Sequence, residues 1–557
     1  MNPSVNRLVR EALSHQKAGR IPVALGLFEK VLKIDPGNPH ANFSLGIAAY
    51  LSGNVGGAIE LFRTAERKAS KLPQLHQLLG LALMNAGDLA AARTSLKKAV
   101  ALAPQQPDFH AHLGDLYRIK RQPVLARQHY DRALSLEPEN GYALVGMGQL
   151  EITIGDIDGA IGWFRKAIRA GKELPTALHL LTSAHTYRER PVELDQIERL
   201  LDRKVPLAAP DKANLHWAAG KVYYDLGDTQ KTVQHYRAAR KLRYSSFDRA
   251  AHEERIAFMK DVFDEDFFAE RREVQTDSDR PVFIFGMPRS GTTLAEQIVC
   301  RHSRISSGAE IPYFRLLQQD LGLAGPPSAA LERRLKDMDA RDYKRFARQY
   351  LAELSEIDRR ADRVTDKMPH NFEMLWLMSL LFPKAAFIHC VRCPADTCIS
   401  LLSHSLSPAH NYCLSQETLG HYFQAYAGLM EHWQKVLPVR MHRLGYEKLV
   451  HNQERESRDL LAQTGMDWED ACLSFYQGES PVTTFSNLQV RRPMFRSSIG
   501  RWRRYKDLLT DLFEALGPLS PTRSEDGAAA YGGGYEEVFG RADNDARQPA
   551  GSALQGK

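Results

Sequence analysis

Residues 281–293 read Pro-Val-Phe-Ile-Phe-Gly-Met-Pro-Arg-Ser-Gly-Thr-Thr, an apolar run that leads into a loop bracketed by two glycines. The apolar run predicts a buried β-strand, and the residues from Leu294 to Cys300 predict the helix that follows the loop. A helix that begins directly after such a loop presents free backbone N–H groups to an anion. The segment therefore predicts a phosphate-binding loop in an α/β domain.

The loop resembles a Walker A motif from Gly286 onwards, but Thr292 stands where that motif has the lysine that reaches a β/γ-phosphate. The remaining groups are backbone N–H groups, hydroxyls and one guanidinium, which suit an anion without a metal ion. Taken alone, the two glycines also fit an ordinary strand–helix connection. The residues that we expect to hold a nucleotide's 5′ anion are Arg289, Ser290, Gly291, Thr292 and Thr293.

The order Gly-x-Pro-Arg-Ser-Gly-Thr-Thr-Leu after a β-branched run resembles the phosphosulfate-binding loop of sulfotransferases. That family transfers a sulfonyl group from 3′-phosphoadenylyl sulfate (PAPS) to a hydroxyl group. The resemblance therefore implies an α/β P-loop-like domain with a parallel sheet, PAPS as co-substrate, and no metal.

A second segment resembles the family's 3′-phosphate motif. Ala386 to Val391 predicts a buried strand, Arg392 follows it, and Ser400 lies eight residues later in a predicted helix. An arginine suits a phosphate because its planar guanidinium donates two parallel hydrogen bonds. Arg392 alone could equally cap a strand at the surface, but two motifs in the family's order favour a nucleotide site.

The resemblance also assigns the catalytic groups. Glu310 lies twenty-one residues after Arg289, as does the catalytic base of tyrosylprotein sulfotransferases, and Lys367 in Thr-Asp-Lys-Met-Pro-His-Asn matches the family's transition-state lysine. Ser486 matches a serine near the sulfonyl group. Each charged residue alone could be a solvated surface group.

Two further residues match positions near the nucleotide. Tyr446 in Tyr-Glu-Lys-Leu corresponds to a tyrosine beside it, and Arg501 stands where the family has a basic residue before a tryptophan. The arginine-rich stretch 491–501 would then cover a doubly anionic ligand.

One departure concerns the acceptor. The tyrosine-modifying members read Glu-Glu-Thr-Arg around the base, whereas this chain reads Ala309-Glu310-Ile311-Pro312. The arginine that helps those members to hold acidic peptides is missing, and Arg315 is a candidate substitute one helical turn later. This departure argues against tyrosine in an acidic peptide. A protein hydroxyl, a saccharide and a small phenol stay open as acceptors.

The amino-terminal half repeats itself every 34 residues, which is the period of tetratricopeptide repeats. We count five clear repeats, an eroded one near 175–210 and a terminal one. Small residues at fixed positions predict close helix packing, and prolines mark the repeat ends. The recurring small residues are Gly46, Gly80, Gly114 and Gly148, with Ala24, Ala58, Ala92, Ala126 and Ala160. We expect an all-α superhelix whose groove binds a protein or peptide partner, and dimerisation is the alternative.

The length of 557 residues exceeds what one core holds, so we expect separate domains. The predicted boundaries are 1–245 for the repeats, 246–279 for a connecting helix and polar linker, 280–520 for the sulfotransferase domain and 521–557 for a disordered tail rich in glycine, alanine, serine and charge. We expect one helix from Phe247 to Phe268.

The formal charge of +7 is spread along the chain, so nucleic acid is not an expected partner. No amino-terminal signal and no apolar stretch of eighteen residues is found, so a cytoplasmic protein without a membrane anchor is expected. Cys390 and Cys393 flank Arg392 and have no second cysteine pair at metal-ligand spacing. We therefore expect reduced thiols rather than a metal site.

The sequence as a whole predicts a tetratricopeptide array fused to a PAPS-dependent sulfotransferase. A scaffold protein with a catalytically inert nucleotide-binding domain is the alternative from another functional class. A nucleotide kinase is a third, which the missing Walker lysine disfavours.

Overall fold

The computed structural model describes residues 3–202, 207–478 and 490–521, without the side chain of Arg272. The described residues divide into two compact units, 3–228 and 229–521. The predicted catalytic serine, Ser486, and the predicted tail beyond Pro521 lie outside the described residues.

Helices make up the first unit. Their bounds are α1 Pro3–Lys17, α2 Ile21–Ile34, α3 Pro39–Leu51, α4 Val55–Ala69, α5 Pro73–Ala86, α6 Leu89–Leu102, α7 Pro107–Ile119, α8 Pro123–Leu136, α9 Gly141–Ile154, α10 Ile157–Ala170, α11 Leu174–Ala184, α12 Val192–Leu201 and α13 Ala209–Leu226. From α1 to α10, each odd-numbered helix packs on the even-numbered helix that follows it. This is the helix-pair architecture that the 34-residue period predicts.

Close packing inside four of the pairs, from α3–α4 to α9–α10, depends on a glycine in the first helix. A Cβ atom added to Gly46 would lie 2.6 Å from the Phe62 ring, and one added to Gly114 would lie 2.7 Å from the Tyr130 ring. Gly80 faces Leu96 and Gly148 faces Phe164 in the same way. The large side chains that fill these positions are fully buried. The recurring glycines therefore mark the contact that joins the two helices of a repeat.

Prolines and short polar residues set the ends of these helices. Pro39, Pro73 and Pro107 each occupy the first turn of a helix, where the missing N–H is tolerated. The Asn140 side chain accepts a hydrogen bond from the Ala143 amide at 3.0 Å and caps α9. Because these signals recur about every 34 residues, successive helix pairs begin and end at equivalent positions of the repeat.

The second unit combines helices with a sheet. The helices are α14 Thr229–Arg243, α15 Arg249–Val262, α16 Glu265–Ala269, α17 Thr292–Val299, α18 Tyr313–Leu321, α19 Ala329–Lys336, α20 Ala340–Ile357, α21 Leu375–Leu381, α22 Pro394–Leu402, α23 Gln416–Val436, α24 Tyr446–His451, α25 Gln453–Gln463 and α26 Thr510–Leu516. Short 3-10 helices cover Arg272–Val274, Pro369–Glu373, Asn411–Leu414, Asp470–Gln477, Arg501–Leu508 and Gly517–Leu519.

The sheet formed by the described residues has five parallel strands in the order β2-β3-β1-β4-β5. The strands are β1 Pro281–Phe285, β2 Ile305–Ser307, β3 Arg363–Asp366, β4 Ala386–Val391 and β5 His442–Gly445. Phe283 of β1 lies opposite Asp366 of β3 and Phe387 of β4. The central position of β1 explains its continuous apolar run, because a central parallel strand is buried on both faces. The predicted bounds of β4 are confirmed.

The segment between Phe247 and Phe268 forms two helices, so the expectation of one helix is wrong. The Asp264 side chain accepts a hydrogen bond from the Phe267 amide at 2.8 Å and starts α16 after α15 has ended. Phe263, at the junction, is fully buried and stacks on Trp376 with ring centroids 4.2 Å apart. The segment therefore contributes to the core of the second unit.

Helix α14 belongs to the same unit. The Arg240 guanidinium is buried and donates a hydrogen bond to the carbonyl oxygen of Leu402 at the end of α22, at 2.7 Å. The Tyr244 hydroxyl accepts from the Leu406 amide at 3.2 Å. Within the described ranges, no helix is both long and apolar enough to cross a membrane.

Candidate active site at the carboxyl edge of the sheet

The predicted site residues follow the carboxyl ends of the five strands. The loop from Gly286 follows β1, Glu310 lies shortly after β2, and Lys367, Arg392 and Tyr446 directly follow β3, β4 and β5. Because all the strands are parallel, these ends meet at one edge of the sheet, which is where open α/β sheets bind their ligands. The strand order places the loop after β1 between the end of β3 and the end of β4.

The loop after β1 has a backbone that excludes larger residues. Gly286 has a φ of +144°, and a Cβ atom there would lie 2.3 Å from the carbonyl oxygen of Cys390. Gly291 has a φ of +106° and packs against the ring of Tyr446. Helix α17 starts at Thr292, two residues earlier than predicted, so Thr292 and Thr293 form its first turn. The amides of this turn are the anion-binding end of the helix.

Ser290 lies inside this loop and is almost completely buried. Its hydroxyl oxygen has no hydrogen-bond partner among the described residues. A buried hydroxyl without a partner costs free energy, so such groups occur where a ligand or water completes the hydrogen bond. Ser290 is therefore suited to an anion in the loop.

Arg289 has a left-handed backbone with φ +72°, which is uncommon for a residue other than glycine. Its Nε donates a hydrogen bond to the Ser400 hydroxyl at 3.0 Å. Burial, followed by repulsion from the guanidinium groups of Arg392 and Arg501, lowers the pKa of Arg289 to about 9. Three guanidinium groups this close together favour the binding of a multiply charged anion.

Arg392 links the phosphate-binding loop to the segment 498–502. Its guanidinium donates to the carbonyl oxygen of Arg289 at 3.1 Å and to that of Ser498 at 2.5 Å, and it lies 4.6 Å from the centre of the Tyr446 ring. Its buried Nε has no hydrogen-bond partner among the described residues. Arg289, Arg392, Ser400, Tyr446 and Arg501 thus lie in one cluster.

Glu310 and Lys367 form an ion pair on the other side of the loop. The Lys367 ammonium donates to a carboxylate oxygen of Glu310 at 2.9 Å, and its side chain is fully buried. The Lys367 amide also donates to the carbonyl oxygen of Ala309 at 2.7 Å. The predicted base and the predicted transition-state lysine are therefore in direct contact, although 57 positions separate them in the sequence.

The segment around Arg501 is held by a residue that the sequence reading did not identify. Asp396, in the first turn of α22, accepts hydrogen bonds from the amides of Gly500 at 2.6 Å and Trp502 at 2.9 Å. Its carboxylate is almost completely buried. This pair of contacts fixes the backbone on either side of Arg501.

Two other buried carboxylates were also missed. Glu296 in α17 accepts three hydrogen bonds from residues near Glu310. Asp366, beside Lys367, accepts from the Tyr350 hydroxyl at 2.9 Å and from the Asn371 amide at 3.2 Å. Burial raises the pKa of Asp366 to about 7. The available signal for Glu296 was a single acidic residue in the uncharged stretch of α17, whereas Asp366 ends the polar strand β3 and gave no such signal.

The residues of this edge fit a nucleotide that carries anions at both ends. The phosphate-binding loop and the buried Ser290 hydroxyl suit one anion, and Arg392 with Ser400 and Arg501 suits a second. In the portion of the chain that the structure describes, no group of three or more histidine, cysteine, aspartate or glutamate side chains could hold a metal ion.

Comparison with known families matches both halves of the chain. Residues 281–470 match the model of the sulfotransferase family. Residues 9–73, 78–136 and 122–175 match a tetratricopeptide-repeat model. Together these matches confirm the two families that the sequence motifs predict.

Two curated relatives align with about two fifths of the chain. An uncharacterised protein of Aquifex aeolicus is 35% identical over 246 residues, covering 43% of this chain and 32% of that protein. Protein-tyrosine sulfotransferase 1 of Danio rerio is 26% identical over 244 residues, covering 40% of this chain and 65% of that protein. The chain thus spans about one third to two thirds of the length of these relatives.

Among solved structures, a thermophilic tetratricopeptide-repeat protein of Thermus thermophilus is 23% identical, covers 32% of this chain and 98% of its own, and gives a TM-score of 0.28. The family matches agree with the observed helix pairs and parallel sheet on which two domains the chain contains. The chain carries tetratricopeptide repeats in its amino-terminal half and a sulfotransferase-family domain in residues 281–470.

Proposed function

We propose that this protein transfers a sulfonyl group from PAPS to a hydroxyl group of an acceptor. One observation carries the proposal. The sheet edge places the phosphate-binding loop between a carboxylate–ammonium pair, Glu310 and Lys367, and a guanidinium cluster that includes Arg392. A sulfotransferase needs a base, a cation at the leaving oxygen and a grip on a doubly anionic nucleotide.

The loop and the cluster would hold the two ends of the nucleotide. Arg289, Ser290, Thr292 and Thr293 bind the 5′-phosphosulfate with hydroxyls, backbone amides and the half-buried side chain of Arg289. The 3′-phosphate binds on the side of the loop that faces the end of β4. The residues assigned to this second anion and to the nucleotide beside it are Arg392, Ser400, Tyr446 and Arg501.

Glu310 acts as the general base of the proposed reaction. Its carboxylate accepts the proton of the acceptor hydroxyl while that oxygen forms a bond to sulfur and the bond from sulfur to the phosphate oxygen breaks. The Glu310 side chain is 46% exposed, so an acceptor can reach it from solvent.

Lys367 and Arg289 stabilise the negative charge that develops on the departing phosphate oxygen. Lys367 is fully buried, where its charge acts more strongly than in water, and Glu310 holds it before the reaction. When the proton moves to Glu310, the attraction between the two side chains weakens and the ammonium can turn to the leaving oxygen. Ser486, which lies outside the described residues, is assigned to the sulfonyl group on the family resemblance alone.

We further propose that the acceptor is a protein that the repeats recruit. Tetratricopeptide repeats bind polypeptides and carry no chemistry of their own. The relative from Danio rerio is named for protein tyrosine, but this chain lacks the arginine that follows the base in such enzymes. Arg315 lies in α18, and burial lowers its pKa, as expected for a guanidinium that faces partly into the domain.

Calorimetric titration tests the nucleotide part of the proposal. We expect adenosine 3′,5′-bisphosphate to bind without a metal ion and ATP with Mg²⁺ to bind much more weakly. Incubation with PAPS and a small phenol, followed by mass spectrometry, tests the transfer itself. Tight binding of Mg-ATP together with no binding of the bisphosphate would overturn the proposed function.

A further inference from the structure

Glu296 is a buried acidic residue in the helix that follows the phosphate-binding loop. It lies one turn beyond the first residue of α17, and its side chain is only 1% exposed. A carboxylate in such a place is stable only when hydrogen bonds compensate for the water it has lost. The hydrogen-bond donors to Glu296 therefore indicate which segments its side chain holds in place.

All three contacts are made by one carboxylate oxygen. This oxygen accepts a hydrogen bond from the Ser307 hydroxyl at 2.8 Å, from the Ala309 amide at 3.1 Å and from the Thr365 hydroxyl at 3.0 Å. Ser307 is the last residue of β2, and Thr365 lies in β3 two residues before Lys367. Glu296 thus connects the helix of the phosphate-binding loop to both segments that carry the proposed catalytic pair.

The residue that Glu296 contacts next to the base has an unusual backbone. Ala309 has a φ of +55°, a left-handed conformation that is strained for an alanine. Its amide donates to Glu296, and its carbonyl oxygen accepts from the Lys367 amide at 2.7 Å. Both sides of Ala309 are therefore held, and this sets the direction in which Glu310 leaves the turn.

We propose that Glu296 is a positioning residue that fixes the Glu310–Lys367 pair relative to the phosphate-binding loop. The inference rests on the proposed function, because the pair matters as the base and cation of sulfonyl transfer. Glu296 does not touch a reacting atom. It acts through the Ala309 turn and the end of β3.

The kinetic test compares three variants at this position. Glu296→Ala removes the oxygen that accepts three hydrogen bonds. Glu296→Asp shortens the side chain by one methylene group and so moves that oxygen away from its donors. Both should lower kcat by about 10²-fold, the scale of a small misplacement of a catalytic group, while the Kd for adenosine 3′,5′-bisphosphate changes less than threefold. Glu296→Gln keeps an acceptor oxygen in place and should restore most of kcat. If Glu296→Ala does not fold, Glu296→Asp carries the comparison with Glu296→Gln.

A double variant tests whether Glu296 acts through the base. In a Glu310→Gln background, adding Glu296→Asp should lower the residual kcat less than threefold, because the group that it positions has already been removed. Independent losses that multiply would overturn the inference. So would equal losses in kcat for the aspartate and glutamine variants, or a loss of nucleotide affinity that parallels the loss of kcat.

Hydrogen exchange supplies a readout that does not depend on activity. Amides of residues 305–310 should exchange at least tenfold faster in Glu296→Ala or Glu296→Asp than in the unmodified protein, and Glu296→Gln should remain protected. Gln297→Ala, which removes a buried side chain from the same helix, is the matched control and should leave this segment protected. Unchanged exchange in both the alanine and aspartate variants would overturn the inference. Absence of transfer by the unmodified protein would instead contradict the proposed function, whatever the exchange result.

Discussion

The ammonium group of Lys367 lies 2.9 Å from a carboxylate oxygen of Glu310, and the lysine is fully buried while the glutamate is about half exposed. The pair therefore has one member inside the domain and one at its surface. An acceptor hydroxyl can approach the carboxylate from solvent, and the ammonium faces the interior beside the phosphate-binding loop. This arrangement assigns different tasks to the two charges.

Replacing Glu310 with glutamine should abolish most of the activity and leave the nucleotide site intact. The amide keeps its shape and its hydrogen bond to Lys367, but it cannot accept the acceptor's proton. We expect kcat to fall by about 10²- to 10⁴-fold and the Kd for adenosine 3′,5′-bisphosphate to stay within a few-fold. Glu353→Gln, an exposed change on α20, is the control. Near-normal turnover of Glu310→Gln would remove Glu310 from the role of base.

Replacing Arg392 with alanine should weaken binding of the 3′-phosphate. We expect a loss of about 1.5–3 kcal/mol for adenosine 3′,5′-bisphosphate, the value of a hydrogen bond to a charged group. Adenosine 5′-monophosphate should lose much less. Calorimetry measures both ligands, and Arg440→Ala, an exposed arginine that precedes β5 at the opposite edge of the sheet, is the control.

The contacts of Arg392 within the protein suggest the outcome that would contradict its role in binding the 3′-phosphate. Its guanidinium also holds the carbonyl oxygens of Arg289 and Ser498. If both nucleotides lose affinity equally, Arg392 acts by supporting the loop and the 498–502 segment, and contact with the 3′-phosphate is excluded.

Asp366 should make the stability of the protein decrease as pH rises from about 4 to about 7. Burial raises the pKa of Asp366 in the folded state from 3.8 to about 7, so in this range the folded protein holds a proton that the unfolded chain has released. The stabilisation is complete below the unfolded pKa and is lost as pH rises through the folded one. Relative to Asp366→Asn, the free energy of unfolding should fall by up to about 1.4 kcal/mol per pH unit.

Denaturant unfolding of both proteins between pH 4.5 and 7.5 measures this difference. Asp358→Asn is a control that should give a profile parallel to that of the unmodified protein, because hydrogen bonds from Ser306 and from backbone amides lower the pKa of Asp358. The contribution of Asp358 is complete above its unfolded pKa of 3.8 and is lost only at lower pH, outside this range. Parallel pH profiles for Asp366→Asn and the unmodified protein would show that Asp366 is ionised throughout.

Truncation should separate nucleotide binding from recruitment of the acceptor. A fragment that starts at Thr229 retains α14, α15 and α16 and should bind adenosine 3′,5′-bisphosphate normally. A fragment that starts at residue 275 loses Phe263, and truncation of one buried phenylalanine already costs about 3–5 kcal/mol. Since domains are stable by about 5–15 kcal/mol, we expect the shorter fragment to be unfolded or nearly so.

The longer fragment also tests the role of the repeats. If they recruit a protein acceptor, its apparent KM should rise by about 10²-fold or more on truncation, because the tethered site no longer supplies effective concentration. Activity toward a small phenol should change little. An equal loss on both acceptors would mean that the repeats support the catalytic half and do not select its substrate.

Local sequence patterns were enough to predict several elements of the fold. The loop from Gly286 to Thr293, β4 and the 34-residue helix pairs are each specified by neighbouring residues, so one sequence is enough to identify them. The family resemblance identified Glu310 and Lys367 as catalytic residues, but it did not predict their ion pair, which depends on strand order.

Other features were not predictable because they depend on contacts far apart in the chain. Glu296 and Asp396 look like ordinary helix residues until the fold brings Ala309 and Gly500 to them. The sequence suggested a helix and a linker before β1, whereas Phe263 stacks on Trp376, which lies more than a hundred residues later. Such packing leaves no periodic signal.

Four of the described repeats each contain both sides of a tight contact between their two helices. Gly46 meets Phe62, and Gly80 meets Leu96, so the glycine and the side chain that fills its place lie within one unit of 34 residues. Whole units can therefore be added or deleted by recombination without breaking this contact in the units that remain. The number of repeats, and with it the length of surface offered to a partner, is free to evolve independently of the catalytic chemistry.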